Sequence, residues 1–155
     1  MKRAVRNALI LSVLVGLALL SLPGLFPIDR ERETVSEQFV RCGQGSSFAC
    51  VVDGDSIRLG KRRIRVLGID APELRDPQCE DERRLAERSS DALLGWLNRG
   101  AFDLVRDARS DRDQYGRDLR RLVRADRDGR EESAGDWLID QGLAAPYLGR
   151  KTAWC

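Results

Sequence analysis

Apolar and polar residues alternate most clearly between residues 56 and 70. In Arg63, Ile64, Arg65, Val66, Leu67, Gly68, Ile69, Asp70, a pleated strand sends Ile64, Val66 and Gly68 to one face and Arg65, Leu67 and Ile69 to the other. Ile57 and Leu59 repeat the pattern one strand earlier, and Gly60-Lys61 between the two runs reads as a tight hairpin turn. Ala71-Pro72 forces the chain out of the sheet, because proline has no N–H for the ladder. Asp70 and Glu73 therefore fall at or just past a strand end, where a rigid sheet holds loop residues in fixed geometry.

After Pro77 the period becomes helical. Leu85, Ser89, Leu93 and Trp96 or Leu97 share one face between residues 79 and 100, acidic residues crowd the start, Arg99 sits at the end and Gly100 is the stop. The charged face of this helix reads as solvated scaffold. Residues 101–105 and 119–123 read as two further strands joined by a long polar turn, where Gly116 permits an unusual backbone angle beside Arg117. Residues 126–131 read as a turn. Residues 133–142 read as a short helix with Trp137, Leu138 and Gln141 turned inward and Gly142 as its cap.

The N-terminus follows a different pattern. Residues 1–7 are basic, and residues 8–26 are 19 uncharged, mostly apolar positions, close to the roughly 20 that span a bilayer. The basic start favours a membrane anchor with its N-terminus in the cytoplasm, with a cleaved signal peptide as the alternative. Either way the rest of the chain is exported: membrane-anchored and facing the periplasm or cell exterior, or secreted. The expected division is residues 1–27 as anchor or signal, 28–45 as a polar linker, and 46–155 as one folded domain.

Charge alters this picture little. The net charge is +2, but Lys2, Arg3 and Arg6 precede the first acidic residue, and removing these three of the 27 basic residues leaves 24 against 25 acidic. Contact with nucleic acid must then come from a local patch. Histidine is absent, which excludes imidazole-based hydrolases and histidine-ligated zinc. Any chemistry here would have to run on carboxylates and arginines, with or without a hard metal. The four cysteines, Cys42, Cys50, Cys79 and Cys155, form no C-x-x-C pair, so disulfides suit the exported compartment better than zinc. Three pairings are possible; Cys42 with Cys50 and Cys79 with Cys155 is the expected one, against unpaired buried thiols.

Residues 51–73 gather Asp53, Asp55, Arg65, Asp70 and Glu73, and Tyr115-Gly116-Arg117 follows later. A phosphodiester under attack gains negative charge, which two arginine forks and a cation stabilise. Ca²⁺ takes oxygen ligands from carboxylates, carbonyls and water, and polarises phosphate as a Lewis acid. Glu73 is the group in this block suited to accept a proton from the attacking water. Asp53 and Asp113 read as turn formers.

Four blocks carry a resemblance: Asp53-Gly-Asp55-Ser56, Arg65 with Asp70-Ala-Pro-Glu73, Asp113-Gln-Tyr115-Gly-Arg117, and Gln141-Gly-Leu-Ala144. In order and spacing they resemble the thermonuclease family, the staphylococcal nuclease-like domains, over about residues 47–148. The resemblance implies a mainly β fold with helices, an OB-fold five-stranded barrel with two or three packed helices, here preceded by an N-terminal hydrophobic helix. It also implies Ca²⁺-dependent hydrolysis of DNA or RNA, single-stranded or flexible, to products ending in 3′-phosphates, by a monomer. Matched by position, Asp55 and Asp70 would bind Ca²⁺ with the Ala71 backbone carbonyl. Arg65, Glu73 and Arg117 would be catalytic, and Tyr115 and Tyr147 would contact nucleotides, Tyr147 with one residue deleted before it. Gln114 replaces a common lysine and Ser56 replaces a threonine, and the expected disulfide to the tail would take the place of the family's long C-terminal helix. The rival readings are a nucleic-acid-binding OB module without turnover and an envelope interaction domain.

Overall fold

A computed structural model of the chain describes residues 31–44, 48–107, 111–125 and 128–155. The alternating stretch forms β3 (Ala49–Asp53), β4 (Ser56–Leu59) and β5 (Arg62–Val66), joined as antiparallel hairpins. Gly60 has φ +60°, the left-handed angle its tight turn requires. The register shifts between Val51 and Asp53. A bulge of this kind bends a strand and increases its twist, and it re-aims the chain at the point where Asp55 follows.

The alternation does not run unbroken to Asp70. β5 stops at Val66, the chain turns at Leu67 and Gly68 (φ +86°), and β6 (Ile69–Asp70) starts afresh. The turn resets the faces. Ile69 is buried at 2% exposure instead of sharing the Arg65 face, and Asp70 is turned inward beside it.

β7 (Phe102–Arg106) pairs antiparallel with β8 (Asp118–Ala125), which lies parallel to β5 with Arg65 opposite Leu119. Within the 28–45 stretch expected as a linker, β1 (Arg32–Val35) pairs antiparallel with β7 and β2 (Val40–Arg41) pairs parallel with β3. Val35 and Phe39 are buried there at 3% exposure. Too few apolar residues among many charges hid this from periodicity. β9 (Glu131–Ser133) pairs with β8, and β10 (Ala145–Pro146) pairs with β6. The result is a mainly β fold: a curled half-barrel sheet in the order β1-β7-β8-β5-β4-β3-β2, with two helices among the described residues. The apolar stretch 8–26 lies outside the described residues, and no described helix is long and apolar enough to cross a membrane.

Helix α1 (Glu80–Leu97) lays Leu93, Trp96 and Leu97 on the concave face of the sheet against Val51, Ile57, Ile64, Leu104 and Leu122. Its N-cap is Cys79, whose Sγ accepts the Glu82 N–H. Helix α2 (Ala134–Asp140) is capped by Ser133 and buries Leu138. Gln141, expected to turn inward, is exposed and forms the C-cap, because the helix ends one residue before it. Two disulfides, Cys42–Cys50 and Cys79–Cys155, match the expected pairing.

Gly54 presses the Asp53–Asp55 turn onto α1. A Cβ there would lie 2.8 Å from the Ser89 Cβ and 2.9 Å from the Ala71 Cβ. Gly54→Ala is expected to lower stability by about 1–3 kcal/mol, as overpacking does, read from the urea midpoint at unchanged slope.

Candidate functional site

Arg65 projects from β5 and is largely buried. Its Nη1 lies 2.8 Å from Asp55 Oδ2, and its Nη2 donates to the Ile69 carbonyl at 3.2 Å and lies 3.5 Å from Asp70 Oδ1. One guanidinium thus gathers the two acids from the turn before β4 and from β6. Both carboxylates are buried, Asp55 at 4% and Asp70 at 2% exposure. Asp55 also accepts the Ser56 hydroxyl at 2.8 Å and the Ala71 N–H at 3.2 Å. Asp70 Oδ2 accepts the Thr152 N–H at 2.8 Å. Burial first, and then the charge of Asp53, push the Asp55 carboxyl up to about 7, against the pull of Arg65 and Ser56.

Glu73 follows Ala71-Pro72 in the loop before α1. Its N–H donates to Glu82 Oε1 at 3.2 Å, and Glu82 Oε2 accepts the Gln78 N–H at 2.6 Å. The Glu73 carboxylate pairs with the Lys151 ammonium and by that hydrogen bond holds it above its ordinary range. Glu82 is buried at 3% exposure, which corrects the expectation that the charged face of α1 is solvated throughout. Its place three residues after the N-cap is that of a capping-box acid, and that spacing was the available signal.

Arg117 comes from the loop before β8. Gly116 at φ +72° makes the turn, and Asp113 Oδ1 accepts the Tyr115 and Arg117 N–H groups, both at 2.9 Å. Asp113 Oδ2 takes Arg117 Nε at 2.7 Å. Partial burial raises the Asp113 carboxyl, but the Arg117 N–H and guanidinium outweigh it and hold it below its ordinary range. Arg117 Nη1 reaches the Ser56 hydroxyl at 3.4 Å. Ser56 therefore links Arg117 to Asp55, and Asp113 orients an arginine in addition to shaping the turn.

These groups meet at one cleft of about 680 Å³. Arg65, Glu73 and Arg117 line it with Tyr115 and Tyr147; Asp55, Asp70 and Ala71 do not, and lie behind Arg65. The Tyr115 ring lies 5.6 Å from the Arg117 guanidinium carbon and the Tyr147 ring 5.9 Å from that of Arg65. Both tyrosines are exposed, at 64% and 46%, which leaves ring surface for stacking. Arg63, Arg150 and Lys151 complete a wall of five cations against two carboxylates, Glu73 and Asp113. This wall is a local basic patch on a chain that is otherwise nearly neutral.

The donor chemistry behind Arg65 suits a hard cation. Asp55, Asp70 and the Ala71 carbonyl offer only oxygen, and both carboxylates reach the same guanidinium. Among the described residues no cluster of three or more acidic, cysteine or histidine side chains is placed to hold a metal.

No family model matches the chain. The succinoglycan biosynthesis protein ExoI of Rhizobium meliloti (strain 1021) is 36% identical over 100 residues, which cover 62% of this chain and 49% of that protein. The chain thus spans about half the length of the curated relative it matches.

Asp55 gives the site a pH signature. A folded-state value raised to about 7 from 3.8 means that its contribution to stability is fully present below about 3.8 and is lost as pH rises through about 7. Asp55→Asn should remove that fall, so that urea midpoints of variant and parent diverge in the variant's favour as pH rises from about 4 to above 7.

Proposed function

We propose that this protein is a Ca²⁺-dependent phosphodiesterase that cleaves DNA or RNA to products ending in 3′-phosphates, on an OB-fold barrel of the thermonuclease family. The observation that carries the reading is the meeting of Arg65, Glu73 and Arg117, drawn from separate segments, in one cationic cleft flanked by two exposed tyrosines. The consecutive run β3-β4-β5-β8-β7 within the curled sheet supports the five-stranded barrel. The two disulfides are compatible with an exported domain, anchored or secreted.

The residues divide the chemistry as follows. Arg65 and Arg117 offer planar donor forks to the phosphate oxygens and stabilise the charge that grows on them during attack. Tyr115 and Tyr147 stack the bases on either side, which favours single-stranded or flexible substrate over a closed duplex. Asp55, Asp70 and the Ala71 carbonyl would hold Ca²⁺, which when bound polarises the phosphate. Glu73 accepts the proton of the attacking water or fixes that water in line. The water oxygen bonds to phosphorus as its proton passes to Glu73 or to solvent, the P–O5′ bond breaks, and the 5′ oxygen takes up a proton from solvent. The protein acts as a monomer.

The pairing of Glu73 with Lys151 also suits a second reading, a nucleic-acid-binding module without turnover, in which the lysine serves only to neutralise the acid. A single assay separates the two. The full-length protein is incubated with single-stranded DNA and Ca²⁺, then with chelator, and then as Glu73→Ala. Cleavage should require Ca²⁺ and fall by about 10²–10⁴-fold in the variant. Arg117→Lys should cost about 10²–10³-fold through loss of the planar fork. Cleavage that survives both chelator and Glu73→Ala would sink the mechanism, and tight binding without cleavage would leave the second reading standing.

A further inference from the structure

The tail after β10 crosses the site. The Tyr147 N–H donates to the Gly68 carbonyl at 2.9 Å, fixing the tail's start beside Arg65. Beyond it, residues 148–155 form no helix or strand, yet they make two contacts with acids of the site. Lys151 pairs with Glu73, and the Thr152 N–H donates to Asp70. Three residues later Cys155 is bonded to Cys79, the N-cap of α1. The same end of α1 holds the main chain of Glu73 through Glu82.

Stability alone does not account for these contacts. The side chains of Lys151 and Glu73 are 67% and 41% exposed, and an ion pair that open to water contributes little to folding. Its consequence is orientation. Glu73 has its backbone held by α1 and its carboxylate by the tail, and Asp70 has one oxygen held by Arg65 and the other by the tail. An outer hydrogen bond of the Thr152 kind aims a ligand carboxylate.

We propose that residues 147–155 form a working wall of the site, in which Lys151 is a positioning residue for Glu73, the Thr152 N–H positions Asp70, and the Cys79–Cys155 disulfide holds both in place. This rests on the phosphodiesterase reading. The tail contacts are then part of the machinery, and the disulfide governs turnover as well as stability.

The test uses the full-length protein, single-stranded DNA and Ca²⁺. Lys151→Met should lower kcat by about tenfold or more, beyond whatever rise in KM the loss of one wall cation brings, and Lys151→Arg should recover most of the loss in kcat. The double variant Cys79→Ser, Cys155→Ser keeps a good N-cap for α1. It should lose kcat to a similar degree while remaining folded by circular dichroism, and amide exchange should show Thr152 losing protection. Full kcat in Lys151→Met would overturn the proposal. A rise in kcat would overturn it too, since the pair would then be a block on Glu73. Equal loss in Lys151→Arg and Lys151→Met would show that charge at this position does not do the positioning. Parent protein that binds but never cleaves would defeat the phosphodiesterase reading first, and this proposal with it.

Discussion

The contact between Arg65 and the buried pair Asp55 and Asp70 is what the rest of the site depends on. Two carboxylates at 4% and 2% exposure are costly to ionise out of water unless partnered and hydrogen-bonded. A single guanidinium meets both, and Ser56, the Ala71 N–H and the Thr152 N–H satisfy further lone pairs. The constraint works in both directions. It fixes where β6 lies relative to the β4–β5 hairpin, and it holds the Arg65 side chain at the back of the cleft. Removing Arg65 would leave two buried carboxylates without their shared cation, so the three side chains behave as one unit.

The second half of the site is built on a different logic. Arg117 sits on a loop, and loops do not aim side chains unaided. Asp113 supplies the aim by accepting two main-chain N–H groups and the Arg117 Nε together, which locks the turn and the side chain in one step. The Ser56 hydroxyl then touches both Arg117 and Asp55. A small polar residue on β4 thus couples the two halves, and the hydroxyl is the feature that serine and threonine share at this position.

Much of the site was legible because its residues cluster in sequence. Asp55, Arg65, Asp70 and Glu73 lie within the single stretch 51–73, and Arg117 is flagged by its tyrosine and glycine. The strands β4, β5, β7 and β8 and both described helices follow from local periodicity and caps. What local pattern could not carry was long-range pairing. β1 and β2 have few apolar residues and owe their structure to β7 and β3. Ile69 defied the alternation because Gly68 resets the faces between β5 and β6. Glu82 looked like one more charge on a polar helix face until its two main-chain donors were seen. Lys151 and Thr152 have no local signal, since their contacts with Glu73 and Asp70 are long-range and lie beside a disulfide that reaches 76 residues back.

The parallel pairing of β5 with β8 also has a kinetic side. Ile64 and Asp118 face each other across 54 positions of chain, and this pairing brings the Arg65 and Arg117 segments side by side. Hairpins such as β4–β5 close quickly because their loops are short, whereas a parallel pair must wait for a long loop to close, and such non-local steps govern folding speed. The first acids and Arg65 can therefore assemble early on the hairpin, while the complete cleft comes into being only as the slow topological step is finished. Protection of the amides in the β5–β8 pairing should lag behind that of the first protected amides of β4 and β5.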